Sequence, residues 1–291
     1  MTTLLPHLSK APKAAKLWTI AAAMFFLLEG VSSHTDFVAR PKLLFKRGTA
    51  TVIKVDADRV IIASDSRVTL PTGYRDDDCK IFALSHAVVF SGAGYRNISS
   101  AQPAGTWDSH DIARESFALT QSKHMDDVVS ATAREWEAET LRFFAGPPDA
   151  LQDLYDSGVH DIFDAIFVGG DSKNQLVAIH DNVRITPSES PVVKITSEVL
   201  HPPALLVVGV KDIAEEFANQ TSPRALKEVA KWRDTVAKKD AADQEILFAS
   251  QLVRWTILYG PENVGGDVDS VVVDSGGVHW INRKDVCKAE P

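Results

Sequence analysis

The chain has 291 residues, 45% of them apolar, and a formal net charge of −8 at pH 7. This length and apolar content are enough for one layered domain with a large buried core plus an N-terminal extension. The negative charge, without a basic stripe or an RNA-binding motif, argues against a nucleic-acid-binding protein.

The first 33 residues have the composition of a targeting segment. Lys10, Lys13 and Lys16 precede the apolar stretch 17–28, and small residues follow it as far as Ser33. This order is typical of a secretory signal peptide. As a helix the stretch would rise about 18 Å, less than the roughly 30 Å hydrocarbon core of a membrane. We expect export to the periplasm or the extracellular space. An uncleaved membrane anchor, or an apolar pro-segment helix in a cytoplasmic protein, is the alternative.

Residues 34–48 predict an exposed, cleavable pro-segment. They include a proline and scattered basic residues, and they end at Gly48. Because glycine has no side chain, the Gly48 carbonyl can come close to a neighbouring hydroxyl. Cleavage after Gly48 would leave a mature domain of residues 49–291.

Residues 48–67 predict a β-hairpin. Alternating residues from Thr51 to Val55 lead into a short polar turn, and a second apolar run ends near Asp65. If the chain is cut before Thr49, this residue carries both a nucleophilic hydroxyl and a free α-amine. An α-amine titrates at about pH 8 and can accept the hydroxyl's proton near neutral pH.

A second hairpin is predicted over residues 80–91 and closes on Gly92. Lys80 has apolar neighbours, and a buried ammonium is costly unless it is paired. Cys79 could form a disulfide with Cys287 in an oxidising compartment, but the sequence gives no geometry for the pair.

The rest of the chain alternates helical and strand patterns. Apolar spacing predicts helices over 111–124, 126–144, 212–219, 225–237 and 240–259, and strands over 164–168, 175–179 and 202–209. A last strand pair with a Gly-Gly turn is predicted before residue 281.

The block around Thr49 resembles the start of proteasome β-type subunits and of the related bacterial HslV protease, members of the N-terminal nucleophile (Ntn) hydrolases. Lys80 matches the family's lysine after a one-residue shortening, and Gly92 matches the glycine after the next strand. The resemblance extends from residue 49 to about 281 and implies an α+β fold, specifically a four-layer αββα sandwich. The residues in register with the family's opening pattern are Thr49, Thr51, Val52, Asp65, Arg67 and Thr69.

The resemblance implies a role for each residue of a site. No cofactor is implied, and the nine histidines lack metal-ligand spacing, so we expect no metal. A peptide or protein substrate and a ring of identical subunits are implied, with membrane contact only through an uncleaved N-terminal segment. The implied site comprises Gly48 for processing, Thr49 as nucleophile and base, Asp65 and Lys80 as an electrostatic pair, the Gly92 N–H at the oxyanion, and Arg67 and Thr69 as supporting residues.

Three positions depart from the pattern of active family members. Polar side chains that orient the threonine amine are replaced by Val210, Pro261 and Val264. Asp267 is a weak candidate for a replacement. We expect a threonine-type endopeptidase. The alternatives are a weakened or inactive proteasome-like subunit and an Ntn amidase or acylase that acts on small molecules.

Overall fold

The computed structural model describes residues 48–70, 73–101, 104–123, 125, 127–146, 149–171, 175–188 and 191–288. The predicted signal peptide or anchor, and the predicted pro-segment up to residue 47, lie outside these ranges. Within the described ranges, no helix is both long enough and apolar enough to cross a membrane.

The fold is of the α+β class, with antiparallel strands and, in the described residues, seven helices. The strands are β1 (Ala50–Val55), β2 (Arg59–Ser64), β3 (Val68–Leu70), β4 (Gly73–Arg75), β5 (Ile81–Ala83), β6 (Val88–Gly94), β7 (Asn97–Ala101), β8 (Ala104–Asp108), β9 (Asp161–Gly170), β10 (Leu176–Thr186), β11 (Val192–Val199), β12 (Ala204–Gly209), β13 (Asp269–Asp274) and β14 (Gly277–Asn282). The helices are α1 (Ser109–Ser122), α2 (Val128–Phe144), α3 (Asp149–Asp156), α4 (Asp212–Asn219), α5 (Pro223–Val236), α6 (Ala241–Tyr259) and α7 (Asp285–Lys288).

Two five-stranded sheets carry most of the strands. The first has the order β12-β1-β2-β13-β14, and the second has the order β11-β10-β9-β6-β5. β3 pairs with β4, and β7 with β8, in two small hairpins. The strand that begins next to Thr49 therefore has a neighbour on each side, whereas β5, which follows Lys80, is an edge strand.

The predicted hairpin at residues 48–67 is confirmed as β1 and β2. Its turn is closed by the Asp56 N–H, which donates to the Arg59 carbonyl at 2.9 Å, and Val55 lies opposite Val60. Both strands are apolar on both faces because each face is covered by other elements.

Three apolar clusters form the core. One lies between the second sheet and α1 and α2, and it contains Phe90, Trp136 and Phe167. Another joins the first sheet to α4, α5 and α6, and the third contains residues of both sheets, including Ile62 and Ile166. The strands near Thr49 are therefore fixed by packing on both faces.

Two regions differ from the sequence prediction. The sequence of residues 101–110 predicts a loop before the first helix, but this segment contains β8, in which Trp107 is fully buried against Trp136 and Phe163. β11 was not predicted. It is an edge strand in which only Val193 and Ile195 pack against the core, and its residues from Thr196 to Val199 are exposed, so the apolar alternation is too short to mark a strand.

Candidate active site

Thr49 lies at the start of β1, and the surrounding backbone fixes its position. Its carbonyl accepts a hydrogen bond from the Val210 N–H at 2.7 Å. The next residue, Ala50, lies opposite Gly209 on β12. Thr49 is 5% exposed and lines a cleft of about 430 Å³.

Gly48 fits its position because it has no side chain. A Cβ atom at this residue would lie 2.1 Å from the Asn263 carbonyl oxygen and 2.9 Å from Thr69 Oγ1. Contacts this short do not occur between non-bonded atoms, so any larger residue would push the chain away from Thr69 and from the loop at Asn263.

Asp65 follows β2 and is the main hydrogen-bond acceptor of the site. Its Oδ1 accepts the Ala50 N–H at 2.9 Å, and its Oδ2 accepts the N–H groups of Gly265 at 3.0 Å and Arg67 at 3.2 Å. The residue is 1% exposed. A carboxylate with this many donors is stable as a buried anion and joins three segments of the chain.

Lys80 forms the predicted ion pair with Asp65. Its Nζ lies 2.9 Å from Asp65 Oδ1, 2.6 Å from the Arg67 carbonyl oxygen and 3.4 Å from the Gly48 carbonyl oxygen. Lys80 is 4% exposed. The three acceptors match the three N–H donors of an ammonium. The charge of Lys80 therefore lies beside the bond that joins Gly48 to Thr49.

Arg67 and Thr69 form one wall of the same cleft. Arg67 binds Asp76 through Nε at 2.6 Å and through a terminal nitrogen at 2.7 Å, and it donates to the Glu262 carbonyl. Its hydrogen bonds lower the pKa of Asp76. Arg67 thus connects the segment after β2 to the loop before β13, while Thr69 is close to Gly48.

Gly92 does not occupy the position predicted for it, and this prediction is corrected. Its N–H donates to the Lys80 carbonyl at 3.2 Å within the β5–β6 pair, so it is not available to an oxyanion. A Cβ atom at Gly92 would lie 2.0 Å from the Phe163 ring, on the side of the helices.

Gly94 lines the cleft instead. The Tyr95 N–H donates to the carbonyl of Ile162 on β9. Because alternate N–H groups of a strand point to opposite edges, those of Gly92 and Gly94 point away from β9. Pairing with β5 ends at Ser91. Gly94 has φ of +125°, a conformation that favours glycine. The hairpin predicted from the sequence ends at residue 91, three residues before the end of β6, so Gly94 was not recognised as a cleft residue.

The three departures from the family pattern are apolar in the structure too. The Val210 N–H is bonded to Thr49, but its side chain offers no hydrogen bond. Val264 is 2% exposed and closes a turn with the Pro261 carbonyl. Asp267 lies in a separate cleft with Asn282 and Lys284, so the structure does not place it beside Thr49.

A disulfide joins Cys79 to Cys287, with their Cα atoms 5.6 Å apart. The pairing that the sequence left open is therefore present. In the described part of the chain, no group of three or more histidine, cysteine, aspartate or glutamate side chains is arranged to hold a metal ion.

A second cluster of titratable groups links β9, β10 and β11. His180 Nδ1 lies 2.9 Å from Glu198 Oε1, and its Nε2 lies 3.1 Å from Asp164 Oδ1. Burial alone would lower the pKa of His180, but the hydrogen bonds to Asp164 and Glu198 outweigh it and raise the pKa. The protonated ring donates to both carboxylates and thereby bridges the three strands.

Asp181, the next residue on β10, is fully buried. Within the described ranges, neither of its carboxylate oxygens has a hydrogen-bond partner of good geometry. Burial raises the pKa of Asp181 to about 7; nearby Ser197 opposes this shift and Glu137 adds to it. The ionised carboxylate is therefore disfavoured in the folded state.

We expect His180 and Asp181 to lower the stability of the folded state as the pH rises from about 6.5 to 8, above the range in which the lowered pKa of buried His110 acts in the opposite direction. Folding raises the pKa of His180, so protonated His180 stabilises the folded state. This stabilisation is complete below the pKa that His180 has in the unfolded chain, and it is lost as the pH rises through the pKa that His180 has in the folded protein. Asp181 acts in the same direction, since the folded chain holds its proton up to about pH 7. Asp181→Asn should stabilise the protein by about 2 to 4 kcal/mol at pH 8 and much less at pH 4. Urea unfolding of both proteins at these pH values measures the difference, and an equal difference at both would contradict the prediction.

The sequence was also compared with known proteins. No family model matches it, and no curated protein matches it either.

Proposed function

We propose that this chain is a threonine-type hydrolase of the proteasome-like Ntn class, which cuts its own Gly48–Thr49 bond and then hydrolyses amide bonds. The supporting observation is the position of Lys80. Its ammonium contacts both Asp65 and the Gly48 carbonyl oxygen, which belongs to the bond to be cut.

Self-processing requires negative charge to develop on the Gly48 oxygen. The Thr49 hydroxyl attacks the Gly48 carbonyl carbon, and a cation 3.4 Å from the carbonyl oxygen stabilises the tetrahedral intermediate. Collapse of the intermediate breaks the Gly48–Thr49 amide, leaves an ester on the Thr49 oxygen, and places the proton of the hydroxyl on the Thr49 nitrogen, which becomes an amine. Water then hydrolyses the ester, releasing the pro-segment with a carboxylate at Gly48 and leaving a free Thr49 amine.

In the mature protein the Thr49 amine takes over as general base. It accepts the proton of the hydroxyl as Oγ attacks a substrate carbonyl, and it returns that proton to the leaving amine. The nearby Lys80 charge favours the neutral amine. The acyl ester that forms on Thr49 is hydrolysed by water.

We assign the oxyanion donor to the Gly94 N–H. Gly94 lines the same cleft as Thr49, and its N–H shares the strand edge at which the Gly92 N–H meets Lys80. A backbone donor of this kind contributes about 3 to 4 kcal/mol to the transition state.

We also propose a four-layer architecture for the domain and export of the protein from the cytoplasm. The three apolar clusters, one between the sheets and one under each set of helices, support a four-layer αββα sandwich. The Cys79–Cys287 disulfide supports export to an oxidising compartment. The proposed substrates are peptides or unfolded chains, and the proposed assembly is a homo-oligomeric ring. Both proposals rest on the resemblance of the sequence to the proteasome-like family.

A second candidate is a proteasome-like subunit with weak or no activity. The apolar side chains of Val210 and Val264 favour it, because no side chain at these positions can hold the Thr49 amine in a reactive orientation. In the active case, backbone groups or water must take this role.

The N-terminus of the purified full-length protein separates the two candidates. We expect mass spectrometry to find a chain that begins at Thr49. Well-folded protein in which the Gly48–Thr49 bond stays intact would contradict the proposed hydrolase and leave the inactive subunit.

A further inference from the structure

The backbone around Lys80 is held by contacts with segments distant in sequence. The Lys80 carbonyl accepts the Gly92 N–H at 3.2 Å, and the Asp78 N–H donates to the Ser66 carbonyl at 3.1 Å. Lys80 precedes β5, which has three residues and lies at the edge of its sheet. On the other side, residues 76–80 form no strand or helix. All three contacts of the Lys80 ammonium are with residues 48–67. The placement of this ammonium therefore depends on contacts between its short segment and other parts of the chain, and the C-terminal segment makes two of them.

The C-terminal segment holds it at two adjacent residues. The disulfide joins Cys79, the residue directly before Lys80, to Cys287 on α7. One residue earlier, the Asp78 carbonyl accepts a hydrogen bond from Lys284 Nζ at 2.7 Å. These two contacts tie the chain just before Lys80 to the segment after β14.

Lys284 is itself anchored in the first sheet. Its Nζ lies 2.8 Å from Asp269 Oδ2, and its N–H donates to Asp269 Oδ1 at 2.9 Å. Asp269 begins β13 and lies opposite Ser64, the last residue of β2. The C-terminal segment thus connects the Lys80 backbone to the strand that leads into Asp65.

We propose that the Cys79–Cys287 disulfide is a positioning element that holds Lys80 against Asp65 and the Gly48 carbonyl, so that self-processing waits for its formation. The cysteines are 5% and 1% exposed, so the bond acts from inside the fold. Its formation removes two protons and two electrons from the thiols, and a disulfide-bearing oxidant accepts them and becomes two thiols. The dependence of processing on this bond rests on the proposed function.

The position of Lys80 can be measured without any activity. In a Thr49→Ala background, which keeps residues 48 and 49 joined, lysines of the full chain are acetylated under native conditions and quantified by mass spectrometry. We expect Lys80 to react at least about tenfold faster when Cys287→Ser is added, because local opening exposes it. Lys54, which is near the other end of β1 and is bound to Asp56 and Glu245, should react at the same rate in both proteins.

Two controls separate positioning from general loss of stability. Val229→Ala removes buried apolar contacts on α5, in the cluster under the first sheet, and should leave Lys80 protected. In the chain with native cysteines, a dithiol reductant should expose Lys80, and reoxidation should restore its protection. If Lys80 stays equally protected without the disulfide, the positioning role is wrong.

A second experiment measures self-processing in chains that keep Thr49. Cys287→Ser and Cys79→Ser should each slow the appearance of the new N-terminus at Thr49 by at least about tenfold, while Val229→Ala should not. If Lys80 becomes exposed in the cysteine variants but the oxidised parent never processes, the proposed function fails and the positioning role stands. Normal processing without the disulfide would overturn the coupling.

Discussion

Thr49→Ala should leave the bond between residues 48 and 49 uncut and lower amide hydrolysis by about 10⁴-fold or more. The change removes the hydroxyl of the proposed nucleophile. It keeps the backbone hydrogen bond from Val210 to residue 49, so the fold should persist. Intact mass and the rate of hydrolysis of a fluorogenic peptide and of a small amide measure the two effects. The comparison of the two substrates also distinguishes a peptidase from an amidase of small molecules.

Two variants make this result specific. Thr49→Ser keeps a hydroxyl at the same position and should still process. Thr51→Ala is the same chemical change two residues along β1, where the hydroxyl bonds Ser64 at 2.7 Å. It should cost about 1 kcal/mol of stability and still process. Processing in Thr49→Ala would show that another group cuts the chain.

Asp65→Asn should destabilise the protein by about 3 to 5 kcal/mol and slow processing by at least about 100-fold. The carboxylate accepts hydrogen bonds from three backbone N–H groups and from Lys80. An amide offers one acceptor oxygen, and its NH₂ group would face donors. The buried Lys80 ammonium would also lose its counter-charge. Urea unfolding and the rate of appearance of the Thr49 N-terminus measure these losses.

The matched control is Asp76→Asn. Asp76 also binds an arginine of the site, but its side chain is 44% exposed, so the change should cost less than about 1 kcal/mol. A Lys80→Met, Asp65→Asn double variant should be less destabilised than the sum of its single variants, because it leaves no unpaired buried charge. Additive losses would mean that the pair is not coupled.

Spacing along one hairpin carried much of the site prediction. β1 and β2 are joined by a short turn, so the distance in sequence between Thr49 and Asp65 determines their distance in space. Lys80 needed one further argument, the cost of a buried ammonium without a partner. The structure contains the expected ion pair at 2.9 Å.

The prediction for the Gly92 N–H was wrong because the end of β6 is not visible in the sequence. The glycine-rich segment 92–94 was visible in the sequence, but the length of β6 was not. β6 continues to Gly94, three residues past the predicted end of the hairpin; the Gly92 N–H donates to the Lys80 carbonyl, and Gly94 reaches the cleft. Strand ends depend on which neighbouring strand is present to accept hydrogen bonds, and sequence periodicity does not contain that information.

The sequence alone determined the hairpin, the residue types around Thr49 and the need for a partner at Lys80, because these follow from local periodicity and from the cost of buried charge. Tertiary structure decided which glycine reaches the cleft, which loop encloses Gly48, and that Cys79 meets Cys287 across 208 residues. Those outcomes depend on contacts between segments distant in sequence. Such contacts are set only when the sheets and helices pack together.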